Sequence, residues 1–193
     1  MLDRVFNNIP AQYDSILAAT RKLSFDMASD LQTGSLLSTL VASKSGAKIL
    51  ELGTGSGLST SWILQGMDST AHLTTIDNNA LLHGVAIENL ADPRISFVLA
   101  DGYQWLKAYK GGSFDFIFAD AMPGKYDLFE ETFSLLNKGG IYFIDDMLPQ
   151  PNWPEGHAER VESFIEMLDQ RSDLTMTKLN WSTGIIIVVK SKK

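Results

Sequence analysis

Six carboxylates in this chain close, or directly follow, short apolar runs. Glu51 ends "AKILE", Asp77 ends "HLTTID", Asp101 follows "ISFVLA", Asp120 follows "FDFIFA", and Asp145 and Asp146 follow "IYFI". Asp is a common turn and capping residue, so one such acid means little. A whole set on one edge would repel itself unless a cation, or a ligand rich in hydroxyl and amine donors, sat among its members. Just after Glu51 comes "LGTGSGLST", with Gly53, Gly55 and Gly57 at alternate positions. Glycines so placed let a backbone turn tightly and approach a ligand without side chains between them.

The elements that must position these acids are legible. From residue 47 onward β-branched runs alternate with amphipathic ones. Strands are expected over 47–52, 72–77, 95–101, 114–120 and 141–146. Helices are expected over 58–67, 80–90, 103–109 and 126–136, the last closed by Gly139 and Gly140. This rhythm predicts an α/β fold with a mostly parallel sheet, helices on both faces and right-handed crossovers. A helix over 157–171 precedes two strands, 174–181 and 184–190, parted only by Ser182 and Thr183. So short a link makes them an antiparallel hairpin. Residues 1–45 read as a helical N-terminal segment and 46–193 as the α/β core of a single domain. In an open α/β sheet, ligands lie outside the carboxyl ends of the strands, where the acids are.

Composition narrows the classes. The 193 residues carry a net charge of −7, which argues against a general nucleic-acid or anionic-membrane surface. There is no cysteine, so disulfides and thiolate metal sites are excluded. The opening "MLDRVFNNIPAQYD" lacks a basic start and an apolar core, so no secretory leader is expected. No run is long enough to span a bilayer. A cytoplasmic protein is expected, and the tail "KSKK" reads as a solvated end.

Two ligand classes compete for the glycine turn. The dinucleotide fingerprint wants Gly-x-Gly-x-x-Gly, and here Leu58 holds the third position. Asp77 falls about 20 residues on, as a ribose-binding acid should in either case. Glu51 separates them, since a carboxylate beside a pyrophosphate opposes binding. A ligand with a sulfonium, an ammonium and a ribose but no phosphate would tolerate it, which describes S-adenosylmethionine.

The ordered motifs "LELGTGSGLST", "TIDNN", "LADG" and "FDFIFADA" resemble those of class I S-adenosylmethionine-dependent methyltransferases. More narrowly, the chain resembles the cation-dependent O-methyltransferases of the catechol and caffeoyl-CoA type over about residues 30–190. The resemblance implies a Rossmann-like sheet ending in that hairpin, and transfer of a methyl group to the oxygen of a small, aromatic acceptor. It places Glu51, Gly53, Thr54, Gly55, Ser56 and Gly57 around the methionine part of the cofactor. It places Asp77 and Asn78 at the ribose, and Asp101 and Gly102 at the adenine, with Tyr103 or Trp105 as a wall. It puts a divalent cation, Mg²⁺ or similar, on Asp120, Asp145 and Asp146. A homodimer is compatible with it.

The chain departs from the family in two places. Asp146 replaces an Asn, and Pro123 replaces the lysine taken as general base. Lys125, two places later, either swings inward on a Pro-Gly turn to serve with Asp120 or is a solvated charge. Trp153, in the proline-rich loop 147–157, either covers a flat acceptor or packs on the helix below. His157 reads as a helix-start residue or an acid/base. A metal-independent methyltransferase of another acceptor, and a cofactor-binding protein without turnover, remain open readings.

Overall fold

The computed structural model describes Phe6 and residues 8–191; the remaining opening residues and Lys192–Lys193 of the basic tail, on which the leader and solvated-tail expectations partly fall, lie outside the described residues. The chain begins with helices α1 (Tyr13–Lys22) and α2 (Leu31–Ala42). Then come β1 (Lys48–Leu52), α3 (Leu58–Gly66), β2 (His72–Asp77), α4 (Ala80–Asn89), β3 (Ile95–Leu99), α5 (Gly102–Ala108) and β4 (Phe114–Ala119). A broken turn, α6 (Met122–Lys125), leads to α7 (Phe129–Ser134), β5 (Leu136–Ile144), α8 (His157–Asp169), β6 (Leu174–Leu179) and β7 (Ile185–Lys190). Among the described residues no helix is long and apolar enough to cross a membrane.

One seven-stranded sheet runs in the order β3-β2-β1-β4-β5-β7-β6. β1 to β5 pair in parallel. β7 runs antiparallel to both β5 and β6, as the expected hairpin requires. The order reverses at β1, so the crevice at the carboxyl ends of β1 and β4 is the topological switch point.

The central strands are apolar at consecutive positions because both faces of the sheet are covered. Leu50, Ile117, Tyr142 and Ile186 face Phe129 of α7 and Phe164 and Leu168 of α8. The alternate residues Ile49, Phe116, Phe143 and Ile185 face Leu37 of α2 and Ile63 of α3. A smaller cluster joins α1 to α3 through Tyr13, Ile16, Leu58 and Trp62.

Several expected boundaries moved. The helix expected over 126–136 is only α7, because Leu128 adopts a left-handed conformation (φ 56°) that starts the helix late. β5 begins at Leu136, which pairs with Phe114 before a register shift, so Gly139 and Gly140 lie within a strand instead of closing a helix. The hairpin link is also longer than two residues, spanning 180–184, with Ser182 at φ 58°.

Glu51 is inside β1, not at its end, and is fully buried. Strand alternation aims it at α3. There it accepts hydrogen bonds from Ser59 Oγ and Thr60 Oγ1 in the first turn of the helix, both at 2.6 Å. Thr75 Oγ1 of β2 donates a third, at 2.5 Å. Thr75 spends its proton on Glu51, so in the 2.6 Å contact between Thr54 and Thr75 it is Thr54 that donates. One side chain thus ties β1, β2, the glycine turn and α3 together. Burial outweighs these bonds and pushes the Glu51 carboxyl up to about 7.

Two predictions follow from this packing. A group raised from 4.5 to about 7 on folding adds stability below pH 4.5 that is lost as pH rises to about 7. Wild type compared with Glu51→Gln by urea denaturation should therefore lose relative stability across that window, by about 3 kcal/mol at most. A flat difference would show that Glu51 titrates normally. The second concerns the α2–α3 crossing, where a Cβ on Gly66 would lie 2.3 Å from the Ser38 carbonyl oxygen. Gly66→Ala should cost about 1–3 kcal/mol by overpacking. Gly84→Ala, on α4 with open space around it, should be neutral or gain up to about 1 kcal/mol.

Candidate active site at the carboxyl edge of the sheet

A cavity of about 590 Å³ opens at the switch point, a size suited to a small-molecule ligand. Of the expected cofactor residues, Gly53, Thr54, Gly55, Ser56, Asp77, Asn78, Asp101, Gly102 and Asp120 line it. Glu51 and Gly57 do not. Glu51 lies one layer below, so direct contact with the methionine part of a ligand gives way to a positioning role. Gly57 (φ 95°) is the N-cap of α3, where an added Cβ would come within 2.9 Å of Ala86. Its lack of a side chain lets α3 sit against α4.

The glycine turn is held by its neighbours. The Gly53 and Thr54 amides donate to the Ile76 carbonyl at 2.9 and 3.2 Å. The Gly55 amide donates to Asp77 Oδ2 at 2.7 Å, and the Asn79 amide to Asp77 Oδ1 at 2.7 Å. Each Asp77 oxygen keeps a lone pair for a ligand hydroxyl. Asp101 caps α5, accepting from the Gln104 amide at 2.9 Å. Tyr103 lines the cavity and donates to Asp127. Trp105 instead stacks on Tyr109, both partly buried against the core.

The N-terminal segment contributes more than its sequence suggested. Residues 25–29, between α1 and α2, line the cavity, and Phe25 lies against Gly55. Ser56 Oγ bonds to Thr20 Oγ1 of α1 at 2.6 Å. The readable signal here was Asp30, which caps α2 by accepting from the Thr33 amide. Its other oxygen accepts from Ser182, joining α2 to the hairpin link. Nothing in "SFDMAS" marked Phe25.

The far half of the cavity is aromatic. Tyr126, Trp153 and His157 line it. The His157 ring lies 4.5 Å from Trp153, and its Nε2 shares a 3.1 Å hydrogen bond with the Tyr126 hydroxyl. Burial, helped by the Lys125 charge, lowers the His157 pKa. Trp153 packs on the start of α8, as the second of its two readings expected, and also lines the cavity.

The expected three-carboxylate cation site is not assembled. Asp120, Asp145 and Asp146 all reach the cavity, but among the described residues no three acids or imidazoles form a metal-holding group. Asp146, at φ 60°, accepts from the Trp153 indole at 2.9 Å. Asp145 accepts from the Thr183 hydroxyl and from the Asp146 amide. Asp145 is buried and Asp120 is partly exposed at the cavity, and lost hydration pushes both carboxyls up; Asp145 raises Asp120 further. Lys125 is the cation beside them. It is 3% exposed and lines the same cavity, so it swings inward and is not a solvated charge.

Comparison with known proteins agrees with this geometry. Residues 50–147 match the family model described as a methyltransferase domain. A Mycobacterium avium protein bearing the name "Putative O-methyltransferase" is 32% identical over 140 residues, covering 68% of this chain and 63% of its own length. A protein of the same name from Mycobacterium ulcerans is 26% identical over 191 residues, covering 92% of this chain and 85% of its own. An O-methyltransferase of tomaymycin synthesis from Streptomyces achromogenes, solved with S-adenosylmethionine, superposes with a TM-score of 0.81 at 24% identity, covering 97% of this chain and 92% of that one. An O-methyltransferase from Bacillus cereus, solved with S-adenosylhomocysteine, gives a TM-score of 0.81 at 21% identity, covering 97% of this chain and 93% of that one. With sequence motifs, sheet order and family model in agreement, the chain belongs to the methyltransferase domain family.

Proposed function

We propose that this protein transfers the methyl group of S-adenosylmethionine to a hydroxyl oxygen of a small aromatic acceptor. The observation that carries the reading is the joining, in one cavity, of a glycine turn, Asp77 and an acid-rich strand edge. That lining disfavours a pyrophosphate and suits a cationic ligand with a ribose. Asp77 would accept from the ribose hydroxyls with charge-assisted bonds. Asp101, Gly102 and Tyr103 would border the base. Gly53, Thr54, Gly55 and Ser56 would give close backbone approach to the amino-acid end.

When bound, the cofactor supplies an electrophilic methyl: the acceptor oxygen gains the new bond to carbon, the broken carbon–sulfur pair stays on sulfur, and the hydroxyl proton leaves to water. The chain's part is to hold the two reactants in line. Tyr126, Trp153 and His157 give a flat acceptor an apolar wall. The buried Lys125, facing the acceptor half, favours turnover over a purely binding role.

S-adenosylhomocysteine should raise the melting temperature, since a ligand of the native state stabilises it, and NAD should not. Stabilisation by NAD alone would overturn the assignment. By calorimetry, Asp77→Ala should weaken S-adenosylhomocysteine by roughly 10–100-fold, the loss expected for charge-assisted bonds.

A further inference from the structure

Lys125 owes its position to the two residues before it. Pro123 is extended (ψ 134°) and Gly124 has φ 84°, so the turn breaks out of helical geometry and reverses. The turn is fixed from both sides. The Gly124 amide donates to the Asp127 carbonyl at 2.7 Å, and the buried Tyr142 hydroxyl donates to the Gly124 carbonyl. A Cβ on Gly124 would come within 2.2 Å of Leu52. The sequence thus spends a proline, a glycine and a buried tyrosine on burying one lysine.

That lysine is unspent. Among the described residues its ammonium makes no hydrogen bond and no ion pair; its recorded contact is 5.2 Å to the Tyr126 ring. It lines the cavity with Asp120 and Asp145. Its charge lowers both of those carboxyls against the larger effect of burial. A buried ammonium with three idle donors, open to a ligand cavity, is a binding group awaiting an oxygen.

Building on the methyltransferase reading, we propose that Lys125 is the permanent cation of the acceptor site, excluding a divalent metal and pairing with the ionised oxygen of a single acceptor hydroxyl. A divalent metal brought here would meet a fixed positive charge. It would also have to take Asp146 from the Trp153 indole. The acceptor class follows from the difference between the two cations. A metal rewards two adjacent oxygens that can chelate it. An ammonium is a compact point charge that one oxyanion satisfies. The preferred acceptor is therefore an aromatic ring with one ionisable hydroxyl, and an adjacent second hydroxyl brings no advantage.

Mn²⁺ is the probe, titrated by electron paramagnetic resonance into protein saturated with S-adenosylhomocysteine. Wild type should bind no Mn²⁺ up to about 1 mM. Lys125→Met should still bind S-adenosylhomocysteine within about threefold of wild type and should gain Mn²⁺ affinity by roughly tenfold or more, because its acids have lost their cation. Mn²⁺ binding by wild type, or no gain in a Lys125→Met protein that still binds S-adenosylhomocysteine, overturns the proposal. Should that variant fail to fold, Lys125→Gln takes its place. Transfer from labelled cofactor to a monohydroxylated ring should persist in excess chelator, and activity that chelator abolishes and Mg²⁺ restores overturns the proposal too. Failure of S-adenosylhomocysteine to bind wild type would instead sink the methyltransferase reading, so the two failures are distinguishable.

Discussion

The structure is organised around the burial of one carboxylate. Glu51 sits among apolar strands with no access to water, where a free charge is costly. It is tolerated because Ser59, Thr60 and Thr75 aim hydroxyls at it. The first turn of α3, "LSTS", explains itself on these terms. Its small hydroxylated residues are buried alongside Leu58 and Trp62, where an amphipathic pattern would call for apolar side chains. Since the three donors come from two elements, their bonds with Glu51 fix where α3 starts relative to β1 and β2. The glycine turn between them then has little freedom left, and Asp77 receives the Gly55 amide as a consequence.

The acids along the strand ends raised a question of mutual repulsion, and no single partner answers it. Each is handled locally. Glu51 is neutralised in part by its own raised pKa. Asp77 is held by two backbone amides and Asp101 by a helix start. Asp146 takes an indole N–H. Asp145, buried, and Asp120, partly exposed to the cavity, are left side by side, and there the lysine appears. The arrangement divides the cavity into an end with anchored acids and an end where charge is balanced by the buried Lys125 ammonium and by whatever ligand arrives.

Most of the sheet was legible because its strands are continuous β-branched or aromatic runs ended by Asp or Gly, and the hairpin because its link is short. The misread stretch, 126–140, has a reason. Whether "FSLLNKGG" ends a helix or starts a strand depends on Leu128 taking a left-handed backbone and on Leu136 finding Phe114 across the sheet, and neither is a local property of the sequence. Depth was harder still. Glu51 and Asp77 both looked like strand-end acids, yet the pleat sends one into the core and leaves the other at the cavity. Contributions from afar, Phe25 above all, left no local trace. Lys125 was half legible: Pro-Gly permits an inward swing, but its direction also depends on Tyr142 and Leu52, which are not neighbours in sequence.

The two ends of the cavity also differ in how they are fastened, and this bears on what each can do. Around Asp77 the ligand-facing groups are tied to backbone amides and carbonyls of the glycine turn, β2, the start of α4 and α5. Those positions move only if the sheet moves. Around Lys125 the turn is fixed through the Gly124 backbone, but much of the remaining fastening is between side chains: Trp153 to Asp146, Tyr126 to His157, and Thr183 to Asp145. Side-chain bonds of this kind exchange by rotamer changes on a much faster scale than any sheet rearrangement. On the proposed reading a single cofactor would be recognised by the rigid frame, whereas acceptors would enter and products leave at the other end. The loop 147–156 is held to the hairpin link by the Met147 and Leu148 amides, which donate to the Gly184 and Thr183 carbonyls, and to the acids by the Trp153 indole.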